Sequence, residues 1–141
     1  MITVLLADDH TMVREGLRFL LEEPGDIQIA ATAANGQEAV EHAKFQCPDV
    51  AVIDVSMPVM DGIEAAKRIR EQCPNTRIVM LSMYDTPEYV MRALRAGAIG
   101  YVLKDGAGNE LVEAVRTLHE GHSYFSSRIE EMVKNLNKDT N

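Results

Sequence analysis

Four short apolar runs recur along the chain: Val4 to Ala7, Val50 to Ile53, Ile78 to Leu81 and Tyr101 to Leu103. Each is too short for a helix, and three are rich in Val or Ile, so the pattern predicts strands. Because successive positions are apolar, these strands suit a parallel sheet covered on both faces. A fifth run, Ile27-Gln28-Ile29, alternates instead and predicts an edge strand with one wetter face. Between the strands, apolar residues return at helical spacing: Val13, Leu17, Leu20 and Leu21; Val40 and Ala43; Ile63, Ala66 and Ile69; Val90, Ala93 and Leu94; Leu111, Val115 and Leu118. Thr86-Pro87 marks the start of the fourth helix with a cap and a proline at its first position, and Gly97 marks its end.

The order is therefore strand then helix, five times over. A weak internal echo supports it, since Gln46-Cys47-Pro48-Asp49 precedes the third strand as Gln72-Cys73-Pro74-Asn75 precedes the fourth, 26 residues later. Right-handed crossovers are expected to place alternate helices on the two faces of the sheet. The result is a three-layer, doubly wound α/β domain with a flavodoxin-like strand order 2-1-3-4-5. In such a sheet the ligand site lies beyond the carboxyl ends of the strands, at the switch point between the first and third.

With 141 residues, 46% of them apolar, the chain has the size and mix of one globular domain. No apolar run approaches the roughly 20 residues of a membrane span. Met1 leads directly into Ile-Thr-Val-Leu-Leu without a basic leader, so a cytoplasmic protein with no membrane contact is expected. A formal charge of −8 opposes direct binding to nucleic acid. Cys47 and Cys73 each precede a proline in separate loops, a spacing that predicts neither zinc nor a disulfide, so both are expected to be reduced bystanders.

Asp8-Asp9 stands where the first strand ends and Asp54 where the third ends, so the fold alone gathers three carboxylates at the switch point. Like charges this close require raised pKa values or a cation, and hard oxygen ligands favour Mg²⁺ over zinc. His10 is the nearest exception to that all-oxygen set. Ser82 and Lys104 fall at the ends of the fourth and fifth strands. A metal and an ammonium facing a carboxylate describe a site where the carboxylate attacks a phosphoryl group while both cations hold the transferring oxygens.

Taken in order, Ala7-Asp8-Asp9-His10, the stretch DVSMPVMDG from Asp54 to Gly62, Leu81-Ser82 and Gly100-Tyr-Val-Leu-Lys104 resemble the receiver domains of two-component response regulators over roughly residues 2 to 122. The resemblance implies that Asp54 takes phosphate from a sensor histidine kinase. It implies that Asp9, Asp54 and the backbone carbonyl of Ser56 bind Mg²⁺, that Asp8 acts mostly through water, and that Lys104 and Ser82 hold the phosphoryl oxygens. Ser82 and Tyr101 become a switch pair, the hydroxyl moving toward the phosphate and the ring turning inward. A receiver of this kind is no enzyme in the usual sense, although it catalyses its own phosphorylation and dephosphorylation.

Asp-Asp-His near the start and Gly97-Ala-Ile-Gly-Tyr-Val-Leu-Lys-Asp105 near the end are similar to the NarL/FixJ group, whose receivers precede a LuxR-type helix-turn-helix domain that regulates transcription. Only 14 residues follow Ser127, among which Ile129, Met132, Val133 and Leu136 give one short amphipathic pattern. Residues 1–122 are thus expected to form the receiver and residues 123–141 a linker or tail toward an output domain that these residues lack. DNA would be reached only through that domain, and the resemblance leaves room for a homodimer. Asp105 stands where many receivers have a proline, so a trans peptide is expected after Lys104. The loop Gly106-Ala-Gly-Asn109 lacks a strong helix cap. Met83, bulkier than the small residue common there, is expected to narrow access to Asp54. His42, His119 and His122 lie far in sequence from the pocket and receive no role.

Other classes fit less well. A haloacid-dehalogenase-type hydrolase needs an acid two residues after the nucleophile, where this chain has Ser56. A flavodoxin-like carrier needs a phosphate loop where two acids stand, and no G-x-G-x-x-G follows the first strand. A phosphorylation-independent interaction module of the same fold is the remaining alternative.

Overall fold

A computed structural model describes residues 1–139. The strands are β1 (Ile2–Ala7), β2 (Ile27–Ala33), β3 (Val50–Asp54), β4 (Arg77–Ser82), β5 (Gly100–Leu103) and β6 (Tyr124–Phe125). The helices are α1 (Thr11–Glu22), α2 (Gly36–Phe45), α3 (Gly62–Gln72), α4 (Pro87–Arg95), α5 (Ala107–His119) and α6 (Ser127–Asp139). All strand pairings are parallel, in the order β2-β1-β3-β4-β5-β6. The doubly wound reading holds, with one strand more than the five the periodicity predicts. β6 escapes sequence reading because a two-residue strand has no period to detect.

The continuous apolar runs are buried on both sides, as a covered parallel sheet requires. Leu5, Ala7, Ala51, Ile53, Ile78, Met80, Tyr101 and Leu103 face one layer, with Ala39 and Ala43 of α2, Ala66 and Ile69 of α3, and Val90 and Ala93 of α4. Val4, Leu6, Val50, Val52, Val79, Leu81 and Val102 face the other, with Leu17 and Leu21 of α1 and Leu111, Ala114, Val115 and Leu118 of α5. Burying such a side chain contributes about 1.5–3 kcal/mol, so each layer is held mainly by apolar area. The helices do not alternate between faces as expected. The crossovers from β2 to β3, β4 and β5 all travel the same way across the sheet, which puts α2, α3 and α4 together. The step from β1 to β2 travels the other way and puts α1 on the opposite face, where α5 joins it.

Helix ends follow their local chemistry. Asn35 and Asp61 cap α2 and α3 through their side chains, accepting from the amides of Glu38 and Glu64. Thr86 occupies the cap position of α4 ahead of Pro87, yet its side chain makes no capping bond. Gly97 ends that helix at φ 106°, a conformation glycine adopts without strain. The start of α5 is as weakly specified as its sequence suggests, with a 3-10 turn over Lys104–Gly106 and no side-chain cap. No cis peptide occurs among the described residues, so the bond after Lys104 is trans.

Two further findings correct the sequence reading. Cys47 and Cys73 are joined as a disulfide, with Cα atoms 5.8 Å apart. The echo between their loops contains the reason: β3 and β4 are neighbours, so equivalent positions in the two preceding loops lie side by side. The residues after 122 also do more than lead away from the domain. β6 pairs with β5, Ser126 Oγ accepts from the Leu103 amide at 3.0 Å and donates to Glu110 at 3.0 Å, and Ile129 of α6 is fully buried against the α4 layer.

Candidate functional site

The carboxyl ends of β1, β3, β4 and β5 converge where the winding reverses. Asp8 follows β1 and is fully buried, while Asp54 closes β3 and is 4% exposed. The loop after Asp54 is folded tightly over it. The Gly62 amide donates to the Val55 carbonyl at 2.8 Å, and a Cβ at Gly62 would overlap the Asp54 carbonyl. Within the same loop, Met60 N donates to the Pro58 carbonyl at 2.7 Å around Val59, which sits at φ 69°. A β-branched residue in that region stores strain, and the loop closure holds it there.

Lys104, directly after β5, reaches across the top of the sheet. Its Nζ lies 2.8 Å from Asp54 Oδ2 and 3.1 Å from Asp8 Oδ2. Asp54 Oδ1 accepts from the Ser56 amide at 3.1 Å, and Asp8 Oδ1 accepts from the His10 amide at 2.8 Å. Burial pushes the Asp54 carboxyl above its ordinary range, Lys104 draws it back and Asp8 pushes it further up. Burial alone would lower the Lys104 ammonium, but the hydrogen bonds and charges of Asp54 and Asp8 outweigh it and raise the group instead.

Asp8, Asp9, His10 and Asp54 each offer a ligand atom, and these atoms lie within 4.8 Å of one another. Asp8 Oδ2 and Asp9 Oδ1 are buried yet accept no hydrogen bond among the described residues, Lys104 Nζ standing 3.1 Å from the first and His10 Nδ1 3.3 Å from the second. Buried oxygens left in that condition fit a hard divalent cation, which takes oxygen ligands and would complete them. The donor set is therefore compatible with Mg²⁺, Asp8, Asp9 and Asp54 being the residues that would surround it.

The other expected residues are placed around this centre. Ser56, His10, Met83, Tyr84 and Lys104 line a cavity of about 40 Å³ over Asp54, so Met83 does stand in the wall of the access path. A larger recess of about 420 Å³ opens beside it, between Asp9, the loop after β3, and Tyr89 and Arg92 of α4. Ser82 is buried at the end of β4, and its Oγ accepts from the Tyr84 amide at 2.9 Å without bonding Asp54. Tyr101 lies in the α4-side core, its ring fully buried and its hydroxyl donating to the Tyr84 carbonyl at 2.6 Å. Ser82 and Tyr101 thus both hold the backbone of Tyr84, and their hydroxyls are close enough to each other to interact as well.

Two participants were missed by sequence reasoning. Tyr84 carries no motif, and only the register of β4 against β5 brings its backbone to Tyr101. His10 had a signal, its position directly after the acid pair. Its Nδ1 lies 3.3 Å from Asp9 Oδ1, 3.4 Å from Asp8 Oδ1 and 3.2 Å from Lys104 Nζ.

Comparison with known proteins agrees with this arrangement. Residues 4–116 match the response regulator receiver domain family. Oxygen regulatory protein NreC of Staphylococcus aureus is 38% identical over 143 residues, an alignment covering 97% of this chain and 66% of that protein. The chain thus spans just under two thirds of the length of these curated relatives. Among solved structures, a LuxR-family two-component response regulator from an Aurantimonas species superimposes with TM-score 0.91 at 33% identity, covering 97% of this chain and 98% of that one. The signal receiver domain of NarL from Mycobacterium tuberculosis superimposes with TM-score 0.82 at 37% identity, covering 86% and 98%. With the fold, the order of the pocket residues and these relatives in agreement, the chain belongs to the response regulator receiver domain family and is homologous to regulators of the NarL/LuxR type.

Proposed function

We propose that this receiver takes its signal as a phosphoryl group on Asp54, delivered by a sensor histidine kinase. The observation that carries the reading is the 2.8 Å approach of Lys104 Nζ to the buried Asp54 carboxylate, in a pocket shared with two further aspartates. In this reading a carboxylate oxygen of Asp54 attacks the phosphorus of a phosphoimidazole. The new O–P bond replaces the P–N bond, and the departing imidazole nitrogen takes up a proton. Lys104 and the Ser82 hydroxyl hold the transferring oxygens, positioned before the reaction at the ends of rigid strands. Asp9, Asp54 and the Ser56 carbonyl would hold Mg²⁺, with Asp8 acting mostly through water. When bound, that ion supplies the positive charge that permits a carboxylate to approach a phosphoryl group. Hydrolysis of the resulting acyl phosphate in the same pocket belongs to this reading.

The signal would leave through Tyr84. Ser82 Oγ and the Tyr101 hydroxyl hold its amide and its carbonyl, so a shift of Ser82 toward a phosphoryl oxygen disturbs the residue that anchors the Tyr101 ring. Tyr89, Arg92 and Arg95 of α4 lie beyond it and make up the responsive surface, which suits a second copy of the chain as partner. DNA contact belongs to a separate output domain, because a formal charge of −8 opposes it here. Among the described residues, no helix is long and apolar enough to cross a membrane.

Incubation with a small-molecule phosphodonor and Mg²⁺, followed by intact-mass measurement, tests the proposal. The protein should gain one acid-labile phosphoryl group and Asp54→Ala should gain none. Equal labelling of both would remove Asp54 from the role, and labelling of neither would favour the phosphorylation-independent interaction module.

A further inference from the structure

Cys47 and Cys73 close a bridge whose two sulfurs belong to residues in different surroundings. Cys73, directly after α3, is 2% exposed within the core layer of α2, α3 and α4, whereas Cys47, two residues beyond α2, is exposed. A thiolate arriving from solvent therefore reaches the sulfur of Cys47 and leaves that of Cys73 as the departing group. The departing sulfur has a place prepared. Cys73 Sγ lies 3.4 Å from the Ala43 carbonyl, which belongs to the last turn of α2 and so has no partner within that helix. A bridged sulfur has no proton to offer it, but a thiol donates there weakly, so the fold accommodates the reduced residue where it stands.

The two loops also stay together without the bridge. The Thr76 hydroxyl donates to the Pro48 carbonyl at 2.6 Å, the Arg77 amide to the Asp49 carbonyl at 3.1 Å, and Gln72 Nε2 to the Val40 carbonyl at 2.9 Å. Opening therefore leaves the cysteines as neighbours, ready to close again. From this arrangement we propose that Cys47 and Cys73 are a reversible thiol–disulfide site, opened and closed in the folded protein by a small thiol and its disulfide, which sets how firmly α2 and α3 are clamped beneath the loop over Asp54. In opening, an external thiolate attacks Cys47 Sγ, and the new S–S bond replaces the bond to Cys73, whose sulfur leaves with the electron pair and takes up a proton. A second external thiolate attacks the outer sulfur of this mixed disulfide, releasing Cys47 as a thiol and an external disulfide as the oxidised product. Closing is the reverse, with that disulfide as oxidant. Both helices run from the loop over Asp54 to the bridge. The Gly36 amide at the start of α2 donates to the Met60 carbonyl at 3.0 Å, and a Cβ on Gly36 would overlap that carbonyl. Gly62, at the start of α3, closes the same loop through its bond to Val55. A cross-link at the far ends of α2 and α3 limits how far one can slide past the other, and so how far the loop seated on their starts can move.

The whole chain, folded, is equilibrated over a series of ratios of reduced to oxidised glutathione, quenched with acid and alkylated in denaturant, so that intact mass counts the free thiols. Wild type should pass reversibly between a closed pair and two free thiols while its circular dichroism stays unchanged. Cys73→Ser should take up glutathione on Cys47, and Cys47→Ser should take up none on the buried Cys73. Amide hydrogen exchange of α2 and of residues 56–61 should quicken about threefold or more on opening, while β1 keeps its rate. Cys47→Ser should show the faster rate at every ratio. A bridge that opens only in denaturant, or two thiols that stay free at every ratio, would overturn the reversible site. Equal exchange of wild type in its open and closed states would overturn the clamp.

Discussion

The hydroxyl of Tyr101 donates to the backbone carbonyl of Tyr84 at 2.6 Å, tying β5 to the loop that leads from Ser82 into α4. The ring is already inside the core, so any change at Asp54 meets an anchored aromatic rather than a free one. Tyr101→Phe keeps the ring and removes only the anchor. It should lower stability by about 1 kcal/mol, the usual net contribution of such a bond. Amide hydrogen exchange across residues 83 to 86 should quicken while that of β1 and β3 stays unchanged.

Ile129 tests whether the segment beyond residue 122 is part of the folded unit. Its side chain is fully buried in the same layer as Val90, Ala93 and Tyr101, and Arg128 next to it pairs with Asp85 at 3.3 Å. Ile129→Ala should cost about 2–4 kcal/mol in urea unfolding, within the range for truncating a buried isoleucine. A loose linker would give a change near zero.

Val59 lies 81% exposed at positive φ in the loop over Asp54, so its side chain contributes strain and little packing. Val59→Gly should raise stability by about 0.5–1 kcal/mol, less than the full strain because glycine also gives up more entropy on folding. Thermal unfolding of the two proteins decides it.

Asp54 carries a pH signature. Burial first, and Asp8 as well, hold its carboxyl above the ordinary range against the pull of Lys104. A raised folded-state pKa means that ionisation costs stability. That cost is absent below the unfolded value near about 3.9 and complete above the folded value. Without metal, Asp54→Asn should therefore melt a few degrees higher than wild type at pH 7, Lys104 retaining Asp8 at 3.1 Å. The difference should vanish as the pH falls below about 4. Added Mg²⁺ should raise wild type more than the variant, since a ligand stabilises the form that binds it.

Much of this was legible because single residues at strand ends carry the site. Asp8, Asp54, Ser82 and Lys104 each follow an apolar run, and the alternation of strand and helix is enough to bring such positions to one edge. What escaped depended on neighbours in space. The disulfide follows only when two expectations are joined, the order that sets β3 beside β4 and the echo that aligns the loops of Cys47 and Cys73, and β6 is too short to show a period. The grouping of α1 to α4 on faces follows from the direction of each crossover, which no local pattern records, and α5 departs from that rule by lying beside α1. Tyr84 reaches Ser82 and Tyr101 through its backbone and His10 meets Asp8 and Asp9 through the orientation of its ring, and neither property can be read from residue type.

The central claim is that the phosphoryl group goes to Asp54, and locating the modified residue tests it most directly. An aspartyl phosphate is an acyl phosphate, so borohydride reduces it to homoserine and leaves a permanent mark at the site. Protein phosphorylated by a histidine-phosphorylated donor domain with Mg²⁺ would be reduced, digested and sequenced by mass spectrometry. The account predicts homoserine at position 54 and at no other aspartate. Homoserine at position 8 or 9, or a label that survives acid and resists borohydride, would contradict it.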